Sequence, residues 1–189
     1  MSSIILASKS PRRQELIKRI TDDFEVIVSD VPEALPEGLA PEEAPVFLAS
    51  RKAQAVAADH PDKTVIGADT VVILDGEIMG KPNGEDDAVR MLSALSGRTH
   101  TVITGCCMIR GTRKRAFSQT TSVEFYPLGE REIMEYIASG EPFDKAGAYG
   151  IQGMGSLLVK GIVGDYFNVM GLPVAELKRE LERMSENAD

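Results

Sequence analysis

The sequence predicts an α/β fold built on a mixed sheet, and three observations lead there. Apolar runs of strand length alternate along the chain with segments of helical spacing. Two turn signals, Asp75-Gly76 and the GTRKR run of Gly111–Arg115, join apolar runs directly and so add antiparallel pairs to that alternation. At 189 residues the chain is long enough to bury a good core, as one domain or as two small lobes sharing it.

Each element follows from local chemistry. Ile4–Leu6 is a short apolar strand that runs into Ser8, Lys9 and Ser10. Ser10 is placed to cap a helix that Pro11 begins and Ile20 ends, since proline lacks the N–H that goes unpaired at a first helical position. Phe24–Ser29 reads as a strand, and an acidic, proline-rich loop follows with Asp30, Pro32, Glu33, Pro36 and Glu37. A helix starts near Pro41 and runs to about Asp59. Thr64–Leu74 is a strand that turns through Asp75-Gly76 into EIMG. Asn83 stands as cap of a helix from Gly84, where Ala88, Met91, Leu92 and Leu95 keep helical spacing until Gly97.

Thr99–Ile109 and Ala116–Tyr126 form two strands around the GTRKR turn, and EREIMEYIAS is a helix stopped by Gly140. The stretch Asp144–Gly155 is a loop dense in glycine. Strands are expected around Leu157–Lys160 and Tyr166–Met170, and an amphipathic helix from Pro173, with residues 185–189 frayed.

Charge narrows the function classes. The net charge is −8 and no long basic run is present, so a nucleic-acid partner is not expected; any bound anion is small and held locally. No apolar run approaches the ~20 residues of a membrane span, and the N-terminal apolar patch is too short for a signal peptide. Cys106 and Cys107 are adjacent, form neither a CxxC pair nor a framework disulfide, and read as inert core, so a reducing cytoplasm is the expected location. His60 and His100 have no ligand spacing, which disfavours zinc.

The residues that could carry chemistry stand out by being misplaced. Lys9, Arg12 and Arg13 crowd the already positive N-terminus of the first helix, where a cation costs roughly 0.3–1 kcal/mol. An anion resolves that conflict: free N–H groups, the Ser8 and Ser10 hydroxyls and the guanidinium forks would converge on phosphate oxygens. The alternative sends these side chains sideways to surface acids. No Walker P-loop is present.

Asp69 lies inside VIGADTVVIL, a run apolar enough to be buried on both faces, where a carboxylate needs a cation, a metal or several donors. It could instead be a strand-edge acid capping a turn. The small Gly67 and Ala68 before it leave room for something to approach the backbone. Lys52 shares a helix face with Leu48, Ala55 and Val56 and so leans toward the packing side, unless only its stem does. Lys81 follows the hairpin that carries Asp69, although it could be a plain turn residue. Glu33 is a loop acid; if its loop folds over the strand ends, Glu33 and Asp69 could hold a hard divalent cation through oxygen ligands. Gln152, in the glycine-rich loop, offers the donor and acceptor needed to read a nucleobase edge, with a purely structural loop as the alternative.

Taken together, LASKSPRR, IGADTVV, GKP, SGRTHTV, DKAGAYGIQG and NVMGLP, in this order, resemble the Maf proteins, which are nucleoside triphosphate pyrophosphatases. The match runs from Ile4 to about Leu181, and DKAGAYGIQG resembles the branch acting on dTTP and UTP rather than on 7-methyl-GTP. Cys106-Cys107 and Gly155-Ser156 are local departures.

The resemblance implies one Maf-like domain over residues 1–189, with an elongated mixed sheet flanked by helices, like the inosine triphosphatases. Two lobes with a cleft between them are expected. It further implies hydrolysis of dTTP, UTP or modified pyrimidine nucleotides to the monophosphate and pyrophosphate with Mg²⁺ or Mn²⁺, and a homodimer is expected from the family alone. Asp69 matches the proton acceptor. Arg13, Thr70 and Gln152 match positions tied to substrate choice, and Arg12, Glu33, Lys52 and Lys81 match polar positions of the cleft. The rival is a non-enzymatic nucleotide-binding regulator of cell division. Bare carboxylates beside phosphates count against it, because they contribute little to simple binding.

Overall fold

A computed structural model describes residues 3–186. The strands are β1 (Ile4–Leu6), β2 (Phe24–Val26), β3 (Thr64–Leu74), β4 (Glu77–Met79), β5 (Thr99–Arg110), β6 (Arg113–Phe125) and β7 (Val159–Val163). The helices are α1 (Pro11–Ile17), α2 (Ala44–Ala57), α3 (Glu85–Leu95), α4 (Glu130–Ala138), α5 (Tyr166–Met170) and α6 (Val174–Glu186). Three short 3₁₀ turns, Glu141–Asp144, Ala146–Ala148 and Gly153–Leu157, lie between α4 and β7.

The sheet runs β2-β1-β3-β5-β6-β7, with β4 paired on β3. It is mixed, as expected: β1 pairs in parallel with β2 and with β3, whereas β3–β4 and β6–β7 are antiparallel. The middle of the sheet is well buried. Ile4–Leu6 is buried at all three positions, and nine of the twelve residues of β5 are buried, all but Thr99, Thr101 and Arg110, so neither face of these strands meets water freely.

The chain divides into two compact units. The first comprises Met1–Asp69, Thr104–Gln119 and Gly171–Asp189; the second comprises Thr70–Ile103 and Thr120–Met170. In the first unit Ile5, Ala7, Ala49, Ala53, Val56, Val65, Cys107 and Ile109 form a core that joins α2 to the sheet. In the second, residues of α3 and α4 (Met91, Leu92, Leu95, Ile133, Tyr136) pack on Val72, Val102, Val123 and Phe125 of the strands. Among the described residues no helix is long and apolar enough to cross a membrane.

Several elements differ from the sequence reading. Tyr166–Met170 is helical rather than a strand: Asp165 accepts from Phe167 N through its side chain, which starts a helical turn, and Asn168 is buried and donates to Val102 O and Thr121 Oγ1. Asn83 does not cap α3; its own N–H donates to Asp87 Oδ2 instead, and Gly84 holds the cap position. The GTRKR turn is tighter than expected, because β6 already begins at Arg113. The first helix stops at Ile17 and β2 at Val26, both earlier than the sequence reading, and α2 starts at Ala44 after a turn at Pro41. Ser185 and Glu186, expected to fray, still belong to α6, and residues 187–189 lie outside the described residues.

Candidate active site

The start of α1 forms as its residues dictate. Ser10 is the N-cap, its Oγ accepting from Arg13 N at 3.4 Å, and Pro11 occupies the first turn. No acid shares that first turn. Arg13 turns inward rather than into solvent. Its Nε donates to Gly171 O at 2.7 Å and its Nη1 to the buried Ser8 Oγ at 3.4 Å. Burial pulls its pKa below the usual value, while the nearby Asp69 carboxylate pushes the other way. Arg12 is half-exposed, and Lys9 is exposed.

Asp69 and Lys52 meet. Lys52 Nζ donates to Asp69 Oδ1 at 2.6 Å, and both side chains are nearly buried, at 12% and 13% exposure. The same ammonium lies 2.7 Å from Glu33 Oε1, so the acidic loop does return over this part of the sheet. Arg51 helps to hold it there, donating to Ala34 O at 3.3 Å while its guanidinium lies over the Phe47 ring.

Gly67 explains why the pair can form. A Cβ at that position would stand 2.2 Å from Ala49 O and 2.8 Å from Ala53 N, so α2 lies directly against the β3 backbone. The room read at Gly67 is taken by the helix that carries Lys52. One turn along that helix, Lys52 reaches the acid two residues further down the strand.

In the first unit, then, Ser8, Arg13, Glu33, Lys52 and Asp69 come together, with Arg12 close enough to Arg13 to repel it. Lys52 and Arg13 meet the Glu33 and Asp69 carboxylates there, with the Arg12 guanidinium beside Arg13, and these are the cation types that grip phosphate oxygens. Both carboxylates offer hard oxygen donors. No cluster of three or more His, Cys, Asp or Glu that could hold a metal occurs among the described residues, so phosphate and water would complete any shell built on these two; that donor set fits Mg²⁺ or Mn²⁺.

Thr70, Lys81 and Gln152 belong to the second unit. Thr70 follows Asp69 directly on β3 and is half-buried. Lys81 is exposed beyond β4. Gln152 is half-buried at the head of the last 3₁₀ turn, and its amide makes no hydrogen bond to the described residues. Cys106 and Cys107 are free and buried, as expected, and burial pushes the Cys106 thiol up to about 12.

Sequence reasoning passed over four residues of the second unit. Glu141 accepts from Met154 N and Gly155 N at 2.9 and 3.3 Å, and Tyr136 Oη accepts from Gly150 N at 3.2 Å. His100 Nε2 is 2.6 Å from Tyr149 Oη, with Phe125 packed edge-on to both rings, and Asn168 ties α5 to the sheet. SGRTHTV and NVMGLP, which carry His100 and Asn168, were the available signal.

The fold is shared with the Ham1 protein of Staphylococcus aureus, at a TM-score of 0.57 and 20% identity over 96% of this chain and 99% of that one. A HAM1 protein from Coxiella burnetii aligns at a TM-score of 0.54 and 15% identity, over 97% and 100% of the two chains. Much nearer in sequence is a dTTP/UTP pyrophosphatase of Bacillus velezensis, 50% identical over 98% of each chain. Another of that name, from Carboxydothermus hydrogenoformans, is 53% identical over 94% of this chain and 96% of its own. The sequence model of the family described as Maf-like protein matches residues 3–184, and the chain belongs to the Maf family.

Proposed function

We propose that this protein is a nucleoside triphosphate pyrophosphatase that hydrolyses dTTP and UTP to the monophosphate and pyrophosphate. The observation that carries the reading is the nearly buried Asp69 carboxylate, paired with Lys52 and facing Arg13. The names of its half-identical relatives support the choice of substrate.

In this reading Arg12, Arg13 and Lys52 neutralise the triphosphate, with Ser8, Lys9, Thr70 and Lys81 as further polar contacts. Asp69 takes a proton from a water that attacks the α-phosphorus. The new P–O bond forms as the bond to the bridging oxygen breaks, and pyrophosphate leaves with that electron pair. Cations already in place stabilise the departing charge. A divalent ion held by Glu33 and Asp69 would add Lewis-acid polarisation and further charge neutralisation. Gln152 pairs its amide with the carbonyl and N3–H edge of uracil or thymine; an amide held in that orientation does not match cytosine, whose edge puts an N4–H₂ donor beside an N3 acceptor.

The test is a panel of nucleoside triphosphates with Mg²⁺, scoring pyrophosphate separately from orthophosphate. Pyrophosphate should form from UTP and dTTP in preference to the other nucleotides. Orthophosphate as the first product would refute the assigned bond.

A further inference from the structure

We infer that Glu141 is a positioning residue for base discrimination, acting through the backbone on either side of Gln152. This rests on the reading of Gln152 as the base-contacting residue.

Residues 150–155 form a closed loop. A Cβ on Gly155 would stand 2.1 Å from Gly150 O, so the two ends of the loop touch, and Gln152 sits between them. Neither end is held by a strand or a long helix. The Gly150 end donates its N–H to Tyr136 Oη at 3.2 Å. The other end donates two successive N–H groups to one carboxylate, Met154 N to Glu141 Oε1 at 2.9 Å and Gly155 N to Oε2 at 3.3 Å. Hydrogen bonds to a charged acceptor are stronger than neutral ones, so this end is held mainly by Glu141.

Glu141 is fixed in turn. It follows α4, the helix that carries the buried Tyr136, and its own carbonyl accepts from Lys145 Nζ at 2.6 Å. Burial raises the Tyr136 hydroxyl to about 12, so it stays protonated across the working range. Upstream, Ala148 is held at a φ of +59°, a conformation costly for a residue with a side chain, which marks a segment fixed by its surroundings. The amide of Gln152 makes no bond of its own to the described residues, so its aim depends on the backbone that these contacts fix. Discrimination between base edges needs that aim, because a displacement of about 1 Å can cost 10²-fold.

The experiment measures kcat/KM for UTP and for CTP in the wild type, Glu141→Ala, Glu141→Gln, Gln152→Ala and the Glu141→Ala/Gln152→Ala double variant, with Tyr136→Phe as an independent probe of the other end. Glu141→Ala should lower the UTP-to-CTP ratio about tenfold, mainly through KM for UTP. Glu141→Gln, which keeps one acceptor oxygen, should recover part of the ratio. Tyr136→Phe should lower the ratio as well, and the double variant should match Gln152→Ala. A general loss of folded enzyme would depress both substrates alike and leave the ratio unmoved, a result that counts against Glu141. If Gln152→Ala collapses the ratio while Glu141→Ala preserves it, the positioning role is wrong and the base contact stands. If Gln152→Ala itself leaves the ratio unchanged, the base contact is wrong and the role of Glu141 goes with it. Equal effects of Glu141→Ala in both backgrounds would show action independent of Gln152 and also overturn the inference.

Discussion

Lys52 Nζ lies 2.6 Å from Asp69 Oδ1, so the acid embedded in β3 is met by a lysine seventeen positions earlier on α2. That pairing answers what an apolar strand does with a carboxylate. It also places a cation beside the proposed base, where charge on a leaving group would develop.

Replacing Lys52 by Met keeps the stem that packs under the loop and removes the ammonium. Turnover of UTP should fall about 10²-fold or more, the usual scale for losing one preorganised charge-stabilising group. Steady-state kinetics on folded protein decide this, and a variant within twofold of wild type would remove Lys52 from the mechanism.

Gly67→Ala tests the geometry beneath the pair. The new methyl would collide with backbone atoms of Ala49 and Ala53, which cannot move aside as a flexible side chain would. Forcing α2 off the strand should cost about 1–3 kcal/mol of stability. It should also slow turnover, because Lys52 moves with the helix. Denaturant unfolding together with a UTP assay checks both, and an unchanged midpoint would contradict the close approach.

Much of this site could be read in advance. Asp69 and Lys52 were visible because each is chemically wrong for its surroundings, an acid in an oily strand and a lysine on a packing face. Arg13 was visible for a related reason. What stayed hidden was pairing across distance: that α2 lies on Gly67, or that Glu33 loops back to the same ammonium. Gly67 showed that something approaches the backbone there, but not that it is the helix carrying Lys52. Asn168 was lost within a run that reads as a strand, because its burial depends on partners at Val102 and Thr121 far along the chain. Glu141 looked like any surface acid, for its partners are backbone N–H groups that carry no sequence identity.

His100 supplies a prediction about stability. It is 2% exposed and burial pushes its pKa down to about 4 from 6.5, so the folded protein holds it neutral. Below pH 6.5 the unfolded chain binds a proton that the folded state refuses. Stability from this group is therefore complete above pH 6.5 and lost as pH falls toward 4. The slope is about 1.4 kcal/mol per pH unit, for a total of roughly 3 kcal/mol. Chemical unfolding at pH 7 and pH 4.5 should show that loss in the wild type, and a markedly smaller pH-dependent loss in His100→Gln, whatever its starting stability. Parallel pH curves for the two proteins would exclude His100 as the source.

The most direct test of the whole account is pyrophosphate release from UTP by Asp69→Asn, measured on protein whose circular dichroism and melting match the wild type. The substitution keeps the size of the side chain and removes its capacity to take a proton. Release should fall to near background. Turnover at the wild-type rate would contradict the account, because the proposed base beside Lys52 would then be dispensable.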